Sequence, residues 1–206
     1  SVIGLLAGTV SAVRQFGWAD KAITFVVLAG ISMPSFWLGL LAIYLLAVHW
    51  RILPASGMYA AYGGGDFKDL VLHLILPAAT LAVVAAGVIA RLTRGAMLEV
   101  LRQDYVRTAR AKGLPLRHII LKHALRPAML PVVSYLGPAF VGIITGSVVI
   151  ETIFGLPGIG QLFVNGALNR DYSMVLGLTI LVGALTITFN AVVDILYAFI
   201  DPKIRY

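Results

Sequence analysis

The chain has 206 residues, 60% of them hydrophobic and only 12% charged, with a mean hydropathy of +0.94. Soluble domains carry about 25% charged residues, so this composition belongs to a membrane protein. A net charge of +7 would suit nucleic acid, but the positive residues cluster beside apolar runs, as the positive-inside rule expects, and the lack of cysteine excludes disulfides, thiolate metal sites and a cysteine nucleophile.

Residues 1–13 are apolar but too short for a span, which needs about 20 residues. The chain is therefore expected to begin inside a span, N-terminally truncated. Residues 14–21 read as a polar turn that Arg14 and Lys21 place on the inside. Residues 22–48 read as a full span. Pro34, in Ser32-Met-Pro-Ser-Phe-Trp37, lacks a backbone donor and predicts a packing kink in mid-span. Residues 49–68 are an outside loop with Trp50 and Tyr59 as interface anchors. Its Gly63-Gly64-Gly65 is no phosphate loop, because no Gly-Lys-Ser/Thr follows. Residues 70–90 form the next span, with Pro77 near its outer end.

Residues 91–131 are the basic insert around which the chain is arranged. Nine of the 16 Lys+Arg fall here, opposed only by Glu99 and Asp104. Leu98, Leu101, Tyr105 and Ala109 recur on one helical face. Gly113-Leu114-Pro115 interrupts, and Leu116, Ile119, Ile120 and Ala124 resume. The pattern predicts two short amphipathic helices joined by an elbow. The run Tyr105-Val-Arg-Thr-Ala-Arg-Ala-Lys-Gly113, followed by His118-Ile-Ile-Leu-Lys-His-Ala-Leu-Arg-Pro127, resembles the cytoplasmic "EAA" loop of binding-protein-dependent ABC importer permeases. The dipeptide/oligopeptide/nickel branch is most similar. Arg107-Thr108-Ala109 stands where the general motif has Glu-Ala-Ala, and His123-Ala124-Leu125-Arg126 replaces Ile-x-Leu-Pro; both departures look typical of that branch.

Residues 130–150 are a further span. Its Gly137-Pro138, Gly142 and Gly146 predict close helix packing through small residues spaced by four. Residues 151–171 are a second outside segment. Within it Glu151-Thr-Ile-Phe-Gly-Leu-Pro-Gly-Ile-Gly-Gln-Leu162 resembles a run at the outer mouth of these permeases. Irregular backbone is tolerated at membrane depth only where it lines a cavity or is buried in protein. The candidates are Glu151, Phe154, Pro157, Gly158 and Gly160, as an outer gate or binding-protein contact, with a re-entrant structural turn as the other reading. Residues 173–200 are the last span, carrying Asn190 and Asp194 near its inside end. Residues 201–206 form a basic inside tail with Lys203 and Arg205. Thirteen of the 16 Lys+Arg then lie inside, against Arg51, Lys68 and Arg170 outside.

The expectation is an all-α, polytopic transmembrane bundle of one domain over residues 1–206, with 91–131 as its cytoplasmic coupling loop. The resemblance implies a type I ABC importer (MetI-like) permease core that lacks an N-terminal span and an extracytoplasmic segment. It also implies a prokaryotic inner-membrane location, a second permease subunit, two ATP-binding subunits and an extracytoplasmic solute-binding protein. ATP and Mg would be used by the partner subunits, with no cofactor bound by this chain and membrane lipid around it. Coupling to the ATPase falls to Tyr105, Arg107, Thr108, Ala109, Ala111, Gly113 and Leu116, whose small members suit a shaped partner groove. The substrates implied are peptides, nickel or small solutes. The rival is an ion-gradient-driven secondary transporter, which would rely on Asp194 almost alone. An intramembrane enzyme would need a deep catalytic pair. His49, His73, His118 and His123 have no metal-ligand spacing, and no Gly-x-Ser-x-Gly elbow occurs.

Overall fold

In lipid every backbone amide needs a partner within the protein, so long apolar runs fold as helices. The computed structural model of the chain describes residues 1–59, 65–145 and 147–200. Among the described residues every regular element is helical: α1 (Val2–Val13), α2 (Trp18–Ser32), α3 (Ser35–Ala42), α4 (Phe67–Leu101), α5 (Asp104–Ala111), α6 (Leu116–His118), α7 (Leu125–Ala128), α8 (Leu130–Ile144), α9 (Val148–Phe154), α10 (Ile159–Leu168) and α11 (Tyr172–Ile200). A π-helical stretch, Ile43–His49, extends α3, and another, Ile119–Ala124, joins α6 to α7. Helices α4 and α11, of 35 and 29 residues, are each long and apolar enough to cross a membrane unaided.

Several expectations change. Residues 22–48 are not one kinked helix: α2 stops at Ser32 and α3 starts at Ser35. Pro34 is extended, with φ −59° and ψ 137°, and a proline disfavours helical geometry in the residue before it. Pro77, by contrast, sits inside α4 without ending it. Helix α4 also overruns the expected span and carries Arg91 and Arg94 on to Leu101. The expected span 130–150 ends at Ile144, and α9 is a separate helix. Gly142 does not support close packing, since a Cβ there would meet nothing within 4 Å. Gly146, Gly63, Gly64 and the tail 201–206 lie outside the described residues.

Contacts group the chain into two compact units. The first contains residues 1–32, 85–139 and those from 188 on. In it α1 lies hard against α4. A Cβ at Gly4 would fall 2.5 Å from the Ala86 carbonyl oxygen, and one at Gly8 would fall 2.5 Å from that of Ala90 and 2.6 Å from Thr93 Cβ. Gly4-x-x-x-Gly8 is thus the close-approach motif that small residues make possible in lipid. In the same unit Gly137 of α8 faces Asn190 and Val193 of α11, and the Ser134 and Tyr197 hydroxyls hydrogen-bond. The second unit contains residues 33–84 and 140–187. Its core is Leu76, Ile150 and Phe154.

Gly8→Leu is expected to force α1 off α4, because overpacking costs about 1–3 kcal/mol. Thermal denaturation of the detergent-purified permease should show a clear drop in midpoint. Gly95→Ala, which meets nothing within 4 Å, should leave the midpoint unchanged.

Candidate functional site

The basic insert folds into an elbow of three helical pieces, not two. Helix α4 ends at Leu101, and Gln103 is extended with φ −70° and ψ 149°. Its carbonyl accepts from the amides of Val106 and Arg107 at 3.1 and 3.2 Å, which starts α5 afresh. The restart resets the helical phase. The inward face of α5 is therefore Val106 and Ala109, packed with Ile119, and the expected Tyr105 turns out to solvent.

A closed hydrogen-bond pattern ends α5. Leu114 N–H donates to the Ala109 carbonyl at 3.3 Å, and Gly113 N–H to that of Arg110 at 2.9 Å. This is the Schellman arrangement, which needs a left-handed residue just past the helix. Gly113 supplies it, with φ +74°. The returning arm then runs through the π-helical stretch Ile119–Ala124. That wider winding stacks residues five apart, so Ile119 and Ala124 are both buried, while the His118 and His123 rings meet edge-on at 5.7 Å. Ala124 and Ala128 pack on Ala12 of α1 and Met97 of α4.

Of the coupling candidates, Tyr105, Arg107, Thr108, Ala111, Gly113 and Leu116 are exposed and Ala109 is buried. Ala109 packs against Ile119 within the chain. The Thr108 hydroxyl donates to the Asp104 carbonyl within its own helix at 3.0 Å. The Tyr105 hydroxyl lies 3.5 Å from the His123 carbonyl, and desolvation pushes its pKa above the ordinary phenol value. Arg107 and Asp104 are 3.6 Å apart and both solvent-exposed, a pair worth little. A groove of about 420 Å³ lies beneath, lined by Val13, Leu101, Arg110, Leu114, Leu116 and Ile119 among others. The elbow thus presents a basic, partly apolar surface on a packed base.

The outer segment is far more regular than its glycines suggest. Only residues 155–158 are non-helical between α9 and α10, whose axes cross at 103°. Gly155, at φ +60°, closes α9 as Gly113 closes α5: Leu156 N–H donates to the Glu151 carbonyl at 2.8 Å. The N-cap of α10 is Gly158, which has no side chain to cap the helix. Glu151, seven residues before that N-cap, does so. Its carboxylate accepts from Gly160 N–H at 3.3 Å and Gln161 N–H at 2.8 Å. Those amides have no carbonyl partner within the helix, and negative charge is favoured at a helix N-terminus. A Cβ on Gly158 would overlap the Glu151 carboxyl group.

Glu151 is 7% exposed and caps α10. Phe154 lies in the core with Leu76 and Ile150, and its carbonyl accepts from Gly57 N–H at 2.8 Å. Gly160 is buried against Val148. Pro157 alone of the five is exposed. The segment is a braced corner beside a cavity of about 350 Å³ lined by Met58, Leu74, Pro77, Ile143, Glu151 and Pro157 among others.

Among the described residues no cluster of three or more His, Cys, Asp or Glu could hold a metal ion. Asp194 is exposed on α11. Sequence reasoning missed one polar cluster, formed by Ser11, Asp20 and Arg94. Its members lie up to 83 residues apart, and Asp20 looked like part of a solvated turn.

A family profile described as "Binding-protein-dependent transport system inner membrane component" matches residues 2–206. The chain is 56% identical over 205 residues to the oligopeptide transport system permease protein OppB of Haemophilus influenzae. It is 58% identical over 207 residues to OppB of Escherichia coli K12, and 39% identical over 227 residues to the dipeptide transport system permease protein DppB of the same strain. Each match covers all of this chain, but the chain spans only 64% of the length of either OppB and 67% of DppB.

Proposed function

The chain belongs to the family of inner-membrane components of binding-protein-dependent transport systems, and from that premise we propose that it is a permease subunit of an ATP-driven peptide importer. It is a multi-pass inner-membrane protein. In the proposed complex it forms half of the translocation pathway beside a second permease subunit. Two ATP-binding subunits hold the ATP and Mg, and this chain carries out no catalysis. A solute-binding protein delivers substrate on the outer side, where exposed Pro157 at the braced corner is a contact point. Peptides are the substrate class because the three relatives named above carry peptide transport in their names. The ion-gradient alternative is not favoured: it conflicts with the family and leaves the elbow without a purpose.

The observation that carries this reading is the elbow. Its base is packed, while Tyr105, Arg107, Thr108, Ala111, Gly113 and Leu116 face outward on a rigid turn. Closure of the ATP-binding subunits would drag this surface, and the helices packed beneath it would tilt. The positive-inside distribution supports a cytoplasmic elbow and C-terminus.

Because this chain contains no cysteine, Ala111→Cys introduces a single thiol into it. In the complete permease that thiol should be labelled from the cytosolic side of inverted vesicles and should cross-link to an ATP-binding subunit. Labelling from the periplasmic side, or no cross-link in a complex that transports, would refute the assignment.

A further inference from the structure

Asp20 is 3% exposed, and five donors surround its carboxylate. Arg94 grips both oxygens, with Nε 2.8 Å from one and a terminal nitrogen 2.9 Å from the other. The Ser11 hydroxyl donates to it from α1. The Thr24 hydroxyl donates at 3.3 Å, and the backbone N–H of Phe16 at 2.9 Å. Arg94 Nε also reaches Ser11 Oγ at 3.0 Å. One carboxylate therefore ties α1, α2, the turn between them and α4. Phe16 is held in the left-handed region at φ +65°, where non-glycine residues are strained by about 1–3 kcal/mol.

Stability alone does not account for such a group. Replacing a buried ion pair by apolar residues of similar size is often neutral or stabilising. A bidentate Arg–carboxylate pair instead supplies geometry, because both partners are planar and lock in one orientation. The position is also telling. One residue beyond Ser11 on α1 is Ala12, and three beyond Arg94 on α4 is Met97. Those two receive Ala124 and Ala128 from the returning arm of the elbow. The elbow therefore rests on α1 and α4 one turn from the place where both are clamped to α2.

We propose that Asp20 and Arg94 are positioning residues which make α1, α2 and α4 move as one body with the elbow, so that displacement of the elbow tilts these helices rather than sliding them past one another. The inference rests on the permease reading above. With the clamp loosened, the elbow still docks and ATP is still hydrolysed, but less of the stroke reaches the translocation pathway.

The test uses the complete permease with its partner permease, ATP-binding subunits and solute-binding protein in proteoliposomes, with a peptide as the probe. Arg94→Lys keeps the charge but loses the planar fork; Asp20→Asn keeps the shape but loses the charge. For both, peptide transported per ATP hydrolysed should fall about tenfold, within the range typical of coupling between sites. Co-purification of the ATP-binding subunits and the ATPase rate per assembled complex should stay near wild type. The charge-reversed pair Asp20→Arg with Arg94→Asp should recover part of the ratio. The ratio is read only on assembled complex, so a variant that folds poorly still reports. An unchanged ratio, with transport falling only as assembly falls, would reduce the clamp to a structural brace. If the wild-type chain brings down no ATP-binding subunit, the permease reading falls and takes the clamp with it.

Discussion

Gly158→Ala and Glu151→Ala should each disrupt the outer corner, and the two together should cost little more than either alone. A methyl group at Gly158 overlaps the Glu151 carboxyl group, so the alanine displaces that side chain and uncaps α10. Removing the carboxylate directly does the same. Either way the amides of Gly160 and Gln161 lose their acceptor, at about 1–3 kcal/mol for each buried donor left unpaired. Residues that act as one unit show this non-additivity. Thermal midpoints of the purified permease and its Glu151→Ala, Gly158→Ala and double variants form the cycle. Fully additive losses would mean that Glu151 and Gly158 act independently and that the cap is not what holds the corner. Glu151→Gln, which keeps one acceptor oxygen, should fall between wild type and Glu151→Ala.

The second large effect is expected at Gly113. Its φ of +74° is unfavourable for any residue with a Cβ, by about 1–2 kcal/mol. Yet a Cβ there would meet nothing within 4 Å in this chain. The chain itself therefore imposes only a backbone constraint, and any steric penalty must come from a docked partner. Asparagine tolerates the left-handed region and should retain most transport. Valine, β-branched and strained there, should lose more. Tryptophan should abolish assembly with the ATP-binding subunits or uncouple transport from hydrolysis. Peptide uptake and co-purification measured across this series separate the two causes. Wild-type uptake in Gly113→Trp would mean that no partner is seated over the elbow.

Local features were legible in the chain. The elbow's turn could be read at Gly113-Leu114-Pro115, because a left-handed glycine followed by proline ends a helix whatever surrounds it. The length of α11 could be read because its apolar run is unbroken. The inward face of α5 could not. The period through Leu98, Leu101, Tyr105 and Ala109 assumed one continuous helix, and the break at residues 102–103 moved Val106 into Tyr105's place. The Gly4-x-x-x-Gly8 spacing was a readable signal for close packing. Gly142 attracted that reading instead, and spacing alone does not say which small residues find a neighbour.

The sequence by itself determined that this is an all-α membrane protein with a basic, elbowed insert, since hydropathy, charge clustering and turn chemistry are properties of neighbouring residues. Only the tertiary structure decided what its polar residues do. Asp20 and Arg94 lie 74 positions apart, and Glu151 caps a helix that begins eight residues later. A buried charge is tolerated only where donors converge on it, and that convergence is created by packing, which no stretch of sequence contains.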